Sequence, residues 1–215
     1  LVSGLVVQPG VEFGPMTVYH LPLDRSFDLR SVMMRWPNLA LEAHSTDYQK
    51  PAAYPRLAEL GFAYQKVGPA LTFAWRQAIY ALDQMLSFLH GSAPIVIPTM
   101  ERIMLENAGA WQSHYQGEPN AKFAQRHLAL ADRIRYYWPH PDAQAAVSAL
   151  MTAMESQTLN RSVSELFFPN STLERAELCG GLNAETLITS SVEQSLEPYF
   201  FHSGSFAAPT RERSA

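Results

Sequence analysis

The stretch Leu39-Ala-Leu-Glu-Ala-His-Ser-Thr-Asp-Tyr48 decides the fold. Leu39–Ala43 is a short apolar run of the kind a buried strand uses. It ends in Glu42, His44, Ser45, Thr46 and Asp47, groups that accept, donate or transfer protons. Pro51 and an apolar-periodic stretch then open a helix over Ala52–Leu60, closed by Gly61. A parallel α/β protein presents its chemistry at the carboxyl ends of its strands, which is where these groups stand. Both flanks repeat the pattern. Gly4–Gln8 runs into Gln8-Pro-Gly-Val-Glu12, and Phe62–Val67 runs into Lys66-Val-Gly-Pro-Ala70.

Working outward, Met16–Leu21 reads as a further extended piece. Asp24 or Ser26 caps a helix that runs to about Trp36. After the tight turn at Gly68-Pro69, Leu71–Leu89 shows helical spacing, with Trp75 on its core side and His90-Gly91 at its end. Further helices are expected over residues 98–107, 120–130 and 143–154. Asp132-Arg-Ile-Arg-Tyr-Tyr-Trp138, closed by Pro139, reads as a strand. Beyond Glu155 the pattern predicts a loop, an extended Val163–Phe168, another loop and a terminal helix, Ala184–Phe201, capped by Asn183. His127 and His202 read as helix-surface residues. Ser203–Ala215 has the composition of a flexible tail. Strand–helix units near residues 4–36, 39–60, 62–90 and 134–154 imply a parallel sheet buried on both faces. Four units are half of what an eight-fold barrel needs, so the choice is a small open sheet or half a barrel. A glycine-rich nucleotide fingerprint would favour the open sheet, and the sequence has none.

Composition narrows the classes. The chain has 215 residues, nearly half of them hydrophobic, enough for a large core. A net charge of −4 gives no electrostatic footing for nucleic acid or an acidic membrane surface. Leu71–Leu89 carries Arg76 and Asp83, so no stretch reaches the roughly 20 apolar residues of a membrane span. The expectation is a soluble, cytoplasmic protein. Its start at Leu1 reads as a truncation. Cys179 is the single cysteine, which excludes an intrachain disulfide and a cysteine-based zinc site. It is expected buried or half-buried.

The strand ends allow two chemistries. Glu42 and His44 lie two apart on a strand and share a face, so with Asp47 they suit a divalent metal or acid–base work. They suit equally well a set of interior polar groups satisfied by neighbours. Zinc wants further ligands, and the end of the preceding strand offers Gln8, a poor one. The second chemistry is anion binding. Gly68 lets the backbone approach a phosphate, the following helix offers unpaired N–H groups, and Lys66 adds charge. The alternative is a plain tight turn with a solvated lysine. Arg133 and Arg135 suit a second phosphate or structural ion pairs.

Five motifs then carry a resemblance: Val6-Val-Gln-Pro-Gly-Val-Glu-Phe13, Glu42-Ala-His-Ser-Thr-Asp-Tyr-Gln49, Lys66-Val-Gly-Pro-Ala-Leu-Thr-Phe73, Trp111-Gln-Ser-His-Tyr115 and Asp132-Arg-Ile-Arg-Tyr-Tyr-Trp-Pro139. In this order they resemble the non-catalytic (Z) subunit family of class II D-tagatose-bisphosphate aldolase, also labelled a tagatose-6-phosphate kinase. The resemblance implies a TIM (β/α)8 barrel, of which residues 1–156 form the second half. Residues 157–202 would be a C-terminal helical extension packing on it, and residues 203–215 a tail. It implies an accessory role beside a zinc-dependent catalytic subunit, supporting activity and stability in galactitol or N-acetylgalactosamine breakdown. His44 stands where related enzymes bind zinc and Gln8 where a second His would be, so any zinc is held weakly or shared with the partner. Lys66–Ala70 stands where those enzymes bind a substrate phosphate. The alternative is an enzyme acting directly on a ketose phosphate, as a metal aldolase or a kinase.

Overall fold

The structure, a computed structural model, describes residues 3–24, 26 and 29–201. They fall into two compact units. One takes the chain up to Phe13, Val18–Gly68 and the segment from Leu196 on; the other takes Gly14–Thr17 and Pro69–Ser195.

The first unit is built on a parallel sheet of β1 (Gly4–Val7), β4 (Ala40–Ala43) and β5 (Phe62–Gln65), in the order β1-β4-β5. A short antiparallel hairpin, β2 (Glu12–Phe13) with β3 (Val18–Tyr19), and helix α1 (Leu29–Met33) lie between β1 and β4. Leu5, Leu41 and Phe62 are aligned across the sheet. Leu41, Ala43 and Phe62 are buried with Ala53 and Leu57 of α2 (Ala53–Glu59), the crossover helix from β4 to β5, and with Val11 and Leu21. The register puts Val6, Glu42 and Tyr64 together on the other face. There Val6 is 58% and Tyr64 60% exposed, while on the opposite face Leu41 and Phe62 are buried and Leu5, on β1, is 48% exposed.

The strands and helices of this unit follow the sequence pattern closely. The extended piece at 16–21 shrinks to β3, and α1 stops at Met33, short of Trp36. Helix α1 begins at Leu29, beyond the expected caps Asp24 and Ser26; residues 25, 27 and 28, His202 and the tail 203–215 lie outside the described residues.

The second unit is helical: α3 (Ala70–His90), α4 (Val96–Glu106), α5 (Pro119–Leu128), α6 (Pro141–Glu155), α7 (Arg161–Ser164), α8 (Asn170–Cys179) and α9 (Ala184–Leu196). Its core gathers Ile79, Leu82, Met85, Met100, Ile103, Ile134, Leu150, Leu173 and Leu187. Trp75 packs against this core, edge-on to Trp138 at 4.8 Å between ring centroids. Gly91 ends α3 with φ +62, the left-handed value a helix C-terminus favours. Buried Asp83 of α3 caps α4: its carboxylate accepts from the N–H groups of Ile95, Val96 and Ile97 at 2.9–3.2 Å.

The structure corrects several expectations. Residues 133–137 form a 3-10 helix, not a strand. Asp132 has φ +44, which breaks extended backbone, and its carboxylate is held by buried Arg76 at 2.6 Å. The buried residues, Ile134 and Tyr137, are three apart while Tyr136 is exposed, which is the 3-10 spacing and not period two. The fourth strand–helix unit therefore has no strand. Val163–Phe168 is not extended either: Asn160 caps α7, accepting from the Val163 N–H at 3.0 Å. Helix α8 replaces a predicted loop, and Cys179 at its end is exposed. His127 is 4% exposed and sits in a charged cluster rather than on a helix surface. No helix among the described residues is long and apolar enough to cross a membrane.

Candidate functional site

Val7, Ala43 and Gln65 are aligned across β1, β4 and β5, so Gln8, His44 and Lys66 follow the last paired positions of three neighbouring strands. His44 lies between two opposite charges. Its Nε2 is 3.1 Å from Lys66 Nζ. An ammonium can only donate, so Nε2 is the acceptor of this pair. Nδ1 faces Glu42 Oε1 at 3.5 Å, an electrostatic approach too long for a hydrogen bond. Glu42 and His44 thus share a face, and the His44 side chain is 41% exposed although its Nδ1 is buried. Gln8 turns away to its own loop: its amide donates to Glu12 Oε2 at 2.7 Å.

Thr46 and Asp47, by contrast, are buried and point at the neighbouring turn. The Lys66 carbonyl accepts twice from Thr46, from Oγ1 at 2.8 Å and from the backbone N–H at 3.3 Å. Asp47 Oδ1 accepts from the Gly68 N–H at 2.8 Å. A Cβ on Gly68 would lie 3.3 Å from Asp47 Oδ2, so the close approach itself calls for glycine. The amide expected to cradle a phosphate is therefore committed to a carboxylate, and Lys66 is the cation that faces outward here. Ser45 and Tyr48, on either side of the pair, have φ +60 and +61. Left-handed backbone costs a non-glycine residue on the order of 1 kcal/mol, so the buried hydrogen bonds of Thr46 and Asp47 hold this loop in a strained shape.

One contributor comes from far along the chain. After α9, a 3-10 turn at Glu197–Tyr199 lays the Tyr199 ring on Tyr54 of α2, 4.5 Å between centroids. The Tyr199 hydroxyl meets Thr46 Oγ1 at 3.1 Å. Because Thr46 donates to Lys66, Tyr199 is the donor of this pair. Burial pushes both the Tyr54 and the Tyr199 phenol up from their ordinary value, so both stay protonated. Tyr199 has no local sequence signal, since 153 residues separate it from Thr46.

Arg133 and Arg135 belong to the second unit. Arg133 donates to the Ala110 carbonyl, and Arg135 to the carbonyls of Ala131 and Asp132 and to the Tyr136 hydroxyl. Their guanidinium groups hold backbone and stack on Tyr136, at 5.3 and 4.4 Å from its centroid.

The donor set does not fit a zinc centre. His44 Nε2 faces an ammonium, and the residue across from it is an amide bonded to Glu12. Among the described residues no three His, Cys, Asp or Glu side chains converge into a group that could hold a metal.

These observations define an α/β protein whose candidate site is the polar carboxyl end of a parallel sheet. The chain belongs to the D-tagatose-1,6-bisphosphate aldolase subunit GatZ/KbaZ-like family, whose model matches residues 1–203. It is 39% identical over 206 residues to a D-tagatose 6-phosphate 4-epimerase of Agrobacterium fabrum, covering 94% of this chain and 48% of that protein. It is 38% identical over 202 residues to the D-tagatose-1,6-bisphosphate aldolase subunit GatZ of Klebsiella pneumoniae, covering 92% and 47%. The crystal structure of a probable tagatose 6 phosphate kinase from Sinorhizobium meliloti matches with a TM-score of 0.86 at 39% identity, covering 93% of this chain and 52% of that one. The chain thus spans about half the length of the curated relatives it matches.

Proposed function

We propose that the chain is part of a non-catalytic subunit of a tagatose-bisphosphate aldolase, binding a ketohexose phosphate and supporting a zinc-dependent catalytic partner. In this reading it serves galactitol or N-acetylgalactosamine breakdown in the cytoplasm. The observation that carries it is the pairing of His44 with Lys66 while Gln8, across from it, bonds to Glu12. Such strand ends offer one imidazole and one ammonium: a place for a sugar phosphate, but not a tight zinc site. The GatZ name of the Klebsiella relative supports the same reading. The parallel order β1-β4-β5 and the length of the relatives support the further reading of residues 1–156 as half of a (β/α)8 barrel, with 157–202 as an extension.

The test is aldol cleavage by the catalytic subunit, measured with and without this protein. Rate and thermal midpoint are expected to rise on mixing, and this protein alone is expected to turn over no ketose bisphosphate. Cleavage by this protein alone overturns the proposal. Lys66→Ala is expected to weaken D-tagatose 6-phosphate binding about tenfold or more, because a charged contact to phosphate is lost.

A second reading has its own support. Glu42, His44 and Lys66 form a carboxylate–imidazole–ammonium row that can take a proton from a sugar hydroxyl and polarise a neighbouring oxygen. The relative named a 4-epimerase fits an enzyme acting directly on a ketose phosphate. Conversion of D-tagatose 6-phosphate by this protein alone, abolished by His44→Ala, would decide for it.

A further inference from the structure

Tyr199 reaches the candidate site through other groups. Its hydroxyl donates to Thr46 Oγ1 at 3.1 Å. Thr46 donates in turn to the Lys66 carbonyl, whose residue carries the ammonium that meets His44. Asp47, the next residue, holds the Gly68 N–H on the far side of the same turn. The turn is thus gripped at both ends by one loop, and that loop is gripped from behind by a residue of the 3-10 turn after α9. The Tyr54 ring fixes where the Tyr199 ring can sit, and burial keeps the phenol protonated and donating.

We propose that Tyr199 is a positioning residue for anion binding: its hydroxyl, acting through Thr46, sets the turn that aims Lys66 at the phosphate of a sugar phosphate. This rests on the reading of Lys66 as the phosphate contact. The hydroxyl is what matters and the ring is a support: the hydroxyl bonds Thr46 and the ring lies on Tyr54. Geometry of this kind changes affinity without a direct contact, because a misplaced ammonium loses the short distances that make a charge-assisted hydrogen bond strong.

Tyr199→Phe, Thr46→Val and Thr46→Ser separate the possibilities. Binding of D-tagatose 6-phosphate is read by calorimetry, and hydrogen exchange is read at the Thr46 and Gly68 amides. Tyr199→Phe is expected to speed exchange at both amides and to weaken binding about three- to tenfold, the span of one lost hydrogen bond. Thr46→Ser, which keeps a hydroxyl, is expected to bind like the parent. The double variant Tyr199→Phe/Thr46→Val is expected to bind no more weakly than Thr46→Val alone, because the two act along one path. If the parent binds and Tyr199→Phe binds equally well, Tyr199 positions nothing and the proposal falls, while the Lys66 site stands. Failure of the parent to bind, with Lys66→Ala equally inert, removes the site itself and the proposal with it. Should Tyr199→Phe not fold, Thr46→Val still decides against: normal binding by that variant overturns the proposal, because the path from Tyr199 runs through the Thr46 hydroxyl.

Discussion

Asp47 is the residue at which a catalytic and a structural role separate most cleanly. Its carboxylate is buried and accepts the Gly68 N–H. A buried N–H left without an acceptor costs about 1–3 kcal/mol. Asp47→Ala is therefore expected to lose about that much stability, and Asp47→Asn, which keeps a carbonyl acceptor, less. Urea unfolding of the two variants checks this, and equal losses would contradict it. The sequence made Glu42, His44, Asp47, Lys66 and Gly68 legible as a set, because apolar runs that stop in polar residues mark strand ends. Their division of labour was not legible. Nothing in the spacing says that Asp47 turns inward to an amide while Glu42 turns toward an imidazole, since that depends on left-handed backbone at Ser45 and Tyr48, residues with no glycine to announce it. His127 misled for a related reason. On its helix it falls in a polar run, and only Tyr80 and Glu101, distant in sequence, make its burial tolerable.

Among elements, α4 depends on a neighbour for its start. Its own N-terminus has no side-chain cap, and Asp83 of α3 supplies one carboxylate to three N–H groups. Removing it leaves those donors unmet and takes a negative charge from the positive end of a helix. Asp83→Ala is expected to cost about 2–4 kcal/mol and Asp83→Asn about half as much, read from urea midpoints. Helices α2, α3, α4 and α6 were legible from apolar periodicity and from Pro and Gly at their ends. The run 132–138 was not. Ile134, Tyr136 and Trp138 fit a period of two, and Ile134 and Tyr137 fit a period of three. What selects the 3-10 form is the buried pairing of Asp132 with Arg76, 56 positions away. The α8 helix hides for the opposite reason. It buries only Thr172, Leu173 and Ala176, too few apolar positions to stand out.

At the scale of the whole molecule, the second unit responds to acid through a buried ionic cluster. His127 lies between the Tyr80 hydroxyl, at 2.8 Å, and Glu101, at 3.0 Å, and Arg126 and Arg76 also face it. Burial, with the two arginines adding to it, holds the imidazole below its ordinary value despite Glu101. Burial raises the Glu101 carboxyl, but Arg126 and then His127 outweigh it and leave it lowered. Both groups therefore bind protons more readily unfolded than folded, so stability is full above about pH 6.5 and declines as pH falls. The His127 share goes first, on descending from pH 6.5; the Glu101 share follows below about 4.5. The urea midpoint is expected to drop over this range, and less steeply between pH 6.5 and 4.5 in His127→Gln. A midpoint independent of pH would contradict the assignment.

The contact between Tyr199 and Thr46 closes a loop of 153 residues. A ribosome that has finished the β4–α2 loop must go on translating through α9 before the tyrosine exists to meet it. Until then Thr46 lacks the hydroxyl that donates to it, so the loop after β4 takes its final shape only once the chain has been made through α9.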